Sequence, residues 1–572
     1  MDPSLVRDLE AQYILQTYSR PPFVLDRGEG VRVYDTEGRA YLDFVSGIAV
    51  NALGHGDPDV VRAISGQASR LIHTSNLYYT APQAQLAQKL VQLSFADKVF
   101  FCNSGAEANE AAIKFARKYA RTVHGAGRGG FIAFEGAFHG RTMGALALTP
   151  RPHYQDAFRP LMPGVKLARF NDLDSVQEQI DDSICAIWCE PVQGEGGIYP
   201  ADPEFLHGLR QLCDEHDVLL VFDEVQCGLG RTGTLWAHEF YGVTPDMMCL
   251  AKPLGGGLPI GATLLTQAIA DTIEPGDHAS TFAGGPVVCA AALATLNKLS
   301  DPTFLEHVRW AGSYLGEDLD ELANKYDCIR SIRGRGLFLG IQTNLESTTV
   351  LVQEGFDAGL LTCIAGPQVL RLVPPLTVTK EDLDEAIEIL DHVFARVSGL
   401  EEPAKSAPNE PPDLMVRRPM IRDVPEMAAI INQFAAQGQM LARSQHHLYQ
   451  NLRDFAVSTA GERVVGCAAL SLAWDDLAEI RSLAVSHEWQ GHGIGRALVE
   501  ELVEEARRLG LPRVFVLTYQ QAFFEKMGFH VVPHDALPHK IWGDCLNCPK
   551  FPDCDEIAMI VDLAQKEGQD EG

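Results

Sequence analysis

Reactive side chains recur in this sequence directly after short apolar runs. VLLVFDE ends in Asp223 and Glu224, and MMCLAK ends in Lys252. NSGAEANEAAIKFARKYA sets Ser104, Gly105 and Ala106 at the start of a helical pattern, and AFHGRT puts the ring of Phe138 close to Arg141. A lysine amine can bond covalently to an aldehyde. An aspartate can hold the proton of a pyridine nitrogen, an aromatic ring can stack on that pyridine, and free N–H groups at a helix start favour a phosphate. Those are the parts of a pyridoxal-phosphate site. Singly, each has a plainer reading: Lys252 as a surface turn, Asp223 as a strand-end cap, Gly105 as an ordinary helix start. Their joint order along the chain favours the cofactor.

A second constellation lies near the other end. In HEWQGHGIGRALVEELVEEARRLG, residues 487–510, the loop Gln490-Gly491-His492-Gly493-Ile494-Gly495 separates the strand-like EIRSLAV from an amphipathic pattern. Glycines there let the backbone approach a pyrophosphate with its N–H groups pointing at it. Ile494, Leu498, Leu502, Ala506 and Leu509 fall on one helix face, and Gly510 supplies the stop. A dinucleotide fingerprint would need a parallel βαβ unit. RVVGCAALSLAW and DLAEIRSLAV read instead as an antiparallel meander, so that reading fits poorly. Cys545, Cys548 and Cys554 form C-x2-C-x5-C, a spacing that suits zinc or another metal, with His539 or Asp544 as a fourth ligand. The fourth ligand is not obvious from the sequence, and a packed thiol cluster is slightly preferred to a metal site.

The elements that carry these groups follow from the pattern of apolar runs. KVFFCNSG, GFIAFEG, SICAIWCEP, VLLVFDEV and MMCLAKPLGGG are near-continuously apolar and alternate with helical stretches. That is an α/β protein with a buried, mostly parallel sheet, whose ligands bind beyond the carboxyl ends of the strands. Residues 399–412, within SGLEEPAKSAPNEPPD, hold almost no large apolar residue and read as a linker. They divide a first unit, 1–398, from a second, 413–572. Across 572 residues the net charge is -29, which disfavours nucleic acid and anionic membranes as partners. The first twenty residues have no apolar core of signal-peptide length, and no apolar run of membrane-spanning length occurs. Thirteen scattered cysteines suit a reduced, cytoplasmic protein.

The first ~400 residues resemble the class III aminotransferases, a fold-type I family with a large, mostly parallel domain and a small α+β domain. The resemblance is nearest to the acetylornithine branch. It rests on LDFVSGIAVNALGHGDP, FCNSGAEANEAAIKFAR, FHGRTMGALALT, EPVQGEGGIYP, FDEVQCGLGRTG, AKPLGGGLPIGA, HASTFAGGP and VLRLVPPLT. It implies that Lys252 holds the cofactor covalently and then moves the substrate proton, and that Asp223 keeps the ring nitrogen protonated. Gln226 would touch the ring hydroxyl, Ser104, Gly105 and Ala106 the phosphate, and Phe138 the ring face. Thr281 would reach the phosphate of a neighbouring subunit's cofactor, with Ser280 near the substrate, so a homodimer is implied. Arg141 would take one substrate carboxylate and Arg371 the second carboxylate of glutamate or 2-oxoglutarate. Glu190 would occupy Arg371 while the amine donor is bound.

Residues 413–572 resemble the GNAT acetyltransferases, and more closely the short, kinase-less N-acetylglutamate synthases. The carriers are LAEIRSLAVSHEWQGHGIGRAL, VFVLTYQQAFFEKMGF and LPHKIWGDCLNCPKFPDCDEIAM. This resemblance implies that acetyl-CoA sits on Gln490, Gly491, Gly493 and Gly495, with backbone groups of Leu483 and Val485 along its pantetheine arm. Glu479 would act as base and Tyr519 as acid, while Arg443 and Arg481 would hold glutamate's carboxylates. Together the resemblances imply two enzymes of arginine biosynthesis in one chain. One exchanges an amine between N-acetylornithine and 2-oxoglutarate, and the other acetylates glutamate. The alternatives are an aminotransferase of another ω-amino acid joined to an acetyltransferase for a different amine, or to a module that senses acetyl-CoA or arginine.

Overall fold

The five apolar runs become strands of one seven-stranded sheet, four of them interior and Lys98–Cys102 at an edge. Its order is Lys98–Cys102, Gly261–Leu265, Met247–Leu250, Leu219–Asp223, Ile184–Cys189, Gly130–Phe134 and Val165–Ala168. All neighbours are parallel except Gly261–Leu265, which runs against both of its partners. Alternate residues serve opposite faces. Phe131, Trp188 and Val221 pack with Ala108, Ala112 and Phe115 of the helix Gly105–His124. Ile132, Ile187 and Leu220 pack with Phe205, Leu206 and Leu209 of the helix Pro203–His216. Helices on both faces are why these strands read as unbroken apolar runs.

The coordinates are a computed structural model describing residues 3–400, 414–436, 440–461, 463–486, 489–490, 492–533, 537 and 556–563. The chain forms two compact units, Met1–Pro403 and Ala404–Gly572. In the first, a smaller antiparallel sheet orders Ile329–Arg335, Phe338–Thr343, Val369–Leu372 and Cys363–Ile364. The helix Lys380–Val397 closes this unit. Its cap is reciprocal: Thr379 Oγ1 accepts from Asp382 N–H, and the Asp382 carboxylate accepts from Thr379 N–H. No helix among the described residues is long and apolar enough to cross a membrane.

The second unit is built on a seven-stranded sheet ordered Leu414–Arg417, Phe455–Ala460, Arg463–Trp474, Leu477–Val485, Arg513–Thr518, Ile557–Asp562 and His530–Val531. It is antiparallel except where Leu477–Glu479 runs parallel to Arg513–Phe515. That ladder stops at Glu479, and beyond it, among the described residues, no ladder to a strand on this side continues along Leu483 and Val485. A register shift opposite Cys467–Ala469 and a positive φ of 54° at Ser482 mark a bulge in the same stretch. The helix Ile494–Arg508 buries Ile494, Leu498, Leu502 and Ala506 as its spacing predicts. Leu509 departs from the prediction. It is the C-cap, 57 % exposed, and the chain turns at Gly510 (φ 78°) to bury Leu511 instead. Leu502→Ala should therefore cost about 2–5 kcal/mol in urea unfolding, and Leu509→Ala under about 0.5 kcal/mol. Equal losses would contradict this helix face.

Candidate functional site

At the carboxyl ends of the first unit's strands, Asp223 is 4 % exposed and ringed by donors. Its Oδ2 lies 2.8 Å from Asn109 Nδ2 and 2.8 Å from His139 Nδ1, and its Oδ1 accepts from Val225 N–H at 3.0 Å. Asn109 and His139 were not among the residues picked out from the sequence. The signal for Asn109 was a polar side chain on the apolar face of AEANEAA, where it is wholly buried. His139 was hidden between the more conspicuous Phe138 and Arg141.

Lys252 begins a short turn after Met247–Leu250, at a positive φ of 21°, a strained backbone for a lysine. Burial lowers its amine to about 8, against the opposing pull of Glu195. Ser104 caps the helix Gly105–His124 by accepting from Glu107 N–H at 3.2 Å. The first N–H groups of that helix, at Gly105 and Ala106, have no acceptor within the helix. Gly105 must be glycine, because a Cβ would stand 2.7 Å from Val225 Cγ1. Gly140 (φ 132°) is equally constrained, since its Cβ would meet Ala106 Cβ at 2.7 Å. The phosphate corner, the amine, the carboxylate and the half-buried ring of Phe138 therefore fit a flat phosphorylated pyridine aldehyde. Ser280 Oγ accepts from Asn103 Nδ2 at 3.0 Å, while Thr281 is exposed. Arg141 is exposed too, its guanidinium 3.4 Å from the Tyr154 ring centre and 5.6 Å from that of Phe138.

The structure corrects one assignment. Arg371, 2 % exposed, is paired with Glu195, not Glu190. Its Nη1 also donates to Gln226 Oε1 at 3.0 Å and its Nε to Cys363 Sγ at 3.3 Å. Of the two glutamates in EPVQGEGG, the first ends the strand Ile184–Cys189 and turns inward. The second follows the turn and reaches the arginine. Burial would raise Glu195, but the Arg371 guanidinium holds it below the ordinary carboxylate value. Gln226, placed on a ring hydroxyl from the sequence, is also a ligand of Arg371 here.

Glu190 instead accepts, among the described residues, from Phe138 N–H at 3.2 Å and Gly194 N–H at 3.4 Å. Among the described residues no cation forms a salt bridge with it, and burial pushes its carboxyl up to about 7.

In the second unit Gly493 takes the left-handed conformation (φ 79°) just before Ile494–Arg508, and no acidic residue occupies that helix's first turn. The helix N-terminus is thus open to an anion. Gln490 Nε2 donates to Val485 O at 3.2 Å, tying the loop to the bulged strand that carries Leu483. Gly495 lies 3.5 Å from the Phe523 ring by the place a Cβ would take. Glu479 and Arg481 sit two residues apart on this strand, and Tyr519 follows Arg513–Thr518, 38 % exposed. Asn432 holds both backbone groups of Arg443, each at 2.9 Å. Gly491, Cys545, Cys548, Cys554, His539 and Asp544 lie outside the described residues.

A carboxyl raised by burial favours the folded state at low pH. That contribution is lost as pH rises from about 4.5 towards about 7. Glu190→Gln, which resembles the neutral acid, should then leave stability nearly unchanged at pH 4.5 and raise it by up to about 3 kcal/mol at pH 8. Thermal unfolding at the two pH values checks this. A variant equally or more destabilised at pH 8 would show that Glu190 is held ionised.

Residues 13–394 match the family model for aminotransferase class-III, and residues 426–529 that for the acetyltransferase (GNAT) family. The acetylornithine aminotransferase of Methanocaldococcus jannaschii is 50 % identical over 390 residues, covering 68 % of this chain and 98 % of its own. Among solved structures, N-acetylornithine aminotransferase from Stenotrophomonas maltophilia is 39 % identical with a TM-score of 0.60, covering 69 % of this chain and 100 % of its own. Ornithine aminotransferase from Toxoplasma gondii is 31 % identical with a TM-score of 0.68, covering 70 % and 97 %. Class III aminotransferases use pyridoxal phosphate, and GNAT domains use acetyl-CoA. The chain belongs to the class III aminotransferases and carries a GNAT acetyltransferase domain after the aminotransferase unit.

Proposed function

We propose that the first unit exchanges an amine between N-acetylornithine and 2-oxoglutarate, and that the second acetylates glutamate with acetyl-CoA. The observation that carries the first half is the buried Arg371–Glu195 pair. One site must take a neutral acetylated chain and then a second carboxylate. A guanidinium with its own carboxylate can do both: Glu195 neutralises Arg371 beside the amide, and yields it to the distal carboxylate of 2-oxoglutarate or glutamate. Arg141, exposed and backed by Tyr154, takes the carboxylate common to all the substrates.

Pyridoxal phosphate supplies a carbonyl for amine exchange and an electron-withdrawing ring when bound. Gly105 and Ala106 N–H groups, with Ser104, hold its phosphate, Phe138 covers one face, and Asp223 keeps the ring nitrogen's proton. Lys252 Nζ takes the proton from the carbon bearing the reacting amine, a role its lowered basicity suits.

In the second unit, the amine of glutamate attacks the thioester carbonyl of acetyl-CoA held by Gln490, Gly491, Gly493 and Gly495 and by the unpaired edge at Leu483 and Val485. Glu479 takes the ammonium proton, and Tyr519 protonates the leaving thiolate. Arg443 and Arg481 receive the carboxylates. A shared pathway, arginine biosynthesis, supports glutamate as acceptor, because it is the precursor end of the route that N-acetylornithine belongs to.

A homodimer through the first unit accounts for Leu77, Tyr79 and Phe282, which are 84 %, 107 % and 69 % exposed, the last beside Thr281. Thr281 would then serve the other subunit's phosphate. The described cysteines are all free, in keeping with the cytoplasm.

Three outcomes test this reading. The purified chain should form glutamate from N-acetylornithine and 2-oxoglutarate faster than from ornithine, 4-aminobutyrate or N-acetyl-lysine. A preference for any of these would reassign the amine donor. Arg371→Lys should raise the KM for 2-oxoglutarate about 10- to 100-fold, through loss of bidentate contact. An unchanged KM would remove Arg371 from the site. Attachment of pyridoxal phosphate to the apoprotein, trapped with borohydride, should quicken as pH rises and level off above about 8, where Lys252 is neutral. A rate flat from pH 6 to 9 would contradict that.

A further inference from the structure

One side of Asp223 is held by a closed set of donors. Trp188, fully buried, gives its indole N–H to Asn109 Oδ1 at 2.7 Å. An indole nitrogen only donates, so the atom it meets is the amide oxygen. The amide nitrogen must then face the other way. It donates to Asp223 Oδ2 at 2.8 Å and lies near the carbonyls of Gly105, at 3.0 Å, and His139, at 3.1 Å.

His139 completes the set. Its ring is 2.8 Å from the same Oδ2 through Nδ1, and a carboxylate oxygen accepts, so Nδ1 carries the proton. Its backbone N–H is fixed by Thr149 Oγ1 at 2.9 Å, and the residue is 2 % exposed. Its Nε2 is buried with no hydrogen-bond partner among the described residues. Burying such a ring with one nitrogen unsatisfied costs stability. A phenyl ring would avoid that cost, so the Nδ1 contact has to offset it. Among the described residues Oδ2 has two donors and Oδ1 only Val225 N–H, so the open lone pair of Asp223 is on Oδ1.

We propose that His139 is a positioning residue for transamination, holding Oδ2 of Asp223 together with the Trp188-keyed Asn109, so that Oδ1 stays free for the protonated nitrogen of a pyridine ring. This rests on the reading of Asp223 as partner of that nitrogen. The role is specific to the nitrogen, and packing alone would not distinguish a ring that lacks it.

The test uses two ligands of nearly one shape, pyridoxal phosphate and its 1-deaza analogue, in which CH replaces the ring nitrogen. Their affinities for the full-length apoprotein are measured by equilibrium dialysis in the wild type, His139→Phe and His139→Asn, with thermal unfolding of each. The wild type should prefer the nitrogen ring. His139→Phe should cut that preference about 10- to 100-fold, the value of one charge-assisted hydrogen bond, with the deaza affinity within about twofold of wild type. His139→Asn, which keeps a donor near the Nδ1 position, should retain most of it. An undiminished preference in His139→Phe overturns the proposal while leaving Asp223 in its role. Equal loss of both ligands overturns it in favour of packing. A wild type indifferent to the ring nitrogen overturns the reading of Asp223 itself.

Discussion

A carboxylate set at the end of an interior strand must be met by donors, and Asp223 imposes that demand on the first unit. Its ladder neighbour Cys249 leads to Lys252 three residues later, so the amine and the carboxylate are placed by adjacent strands of one sheet. The donors come from elsewhere in the chain. Asn109 belongs to the second turn of the helix Gly105–His124, and His139 to the loop after Gly130–Phe134. Drawing both inward brings the helix start and the Phe138 loop to the same point. Gly105 and Gly140 record how closely: neither position has room for a methyl group. The corner proposed for the phosphate is thus also a consequence of satisfying Asp223.

Charge is handled differently at the far end of the pocket. Arg371 is buried as deeply as Asp223, yet it is met by a full counter-charge and by two weaker acceptors, Gln226 and Cys363. A buried ion pair contributes little net stability, and breaking it is expensive because the remaining charge is stranded. That balance suits a pocket whose partner must change. On the proposed reading a substrate carboxylate replaces Glu195, whereas a ligand with no second carboxylate leaves the pair intact. Glu190, only five residues earlier in the chain, has no such partner among the described residues, and its neutral form is the one burial favours. Two glutamates in one motif are separated in role by a single turn of backbone.

The fold was largely legible in the sequence because both-face burial leaves an unmistakable apolar run, and five such runs are strands of the large sheet. The residues at their ends were legible too, since Asp223 and Lys252 stand where ligands bind in such sheets. What escaped were contacts set by the third dimension. Spacing cannot say which glutamate of EPVQGEGG turns towards an arginine some 180 residues later. Nor does it show that an asparagine among alanines and a histidine beside a phenylalanine close on one carboxylate. Leu509 was misplaced for a related reason: periodicity runs past the point where a left-handed glycine ends the helix. In the second unit the glycine loop and its helix were readable, whereas the strand's bulge at Ser482 shows only in the register.

If both units act as described, the glutamate formed by the first is the acceptor for the second. One reaction mixture can therefore test the account: the purified chain with pyridoxal phosphate, N-acetylornithine, acetyl-CoA and uniformly ¹³C-labelled 2-oxoglutarate, followed by mass spectrometry. The account predicts that the label passes into glutamate and then into N-acetylglutamate bearing an unlabelled acetyl group. Label that stops at glutamate would contradict the acetyltransferase assignment, and label that never leaves 2-oxoglutarate would contradict the account at its root.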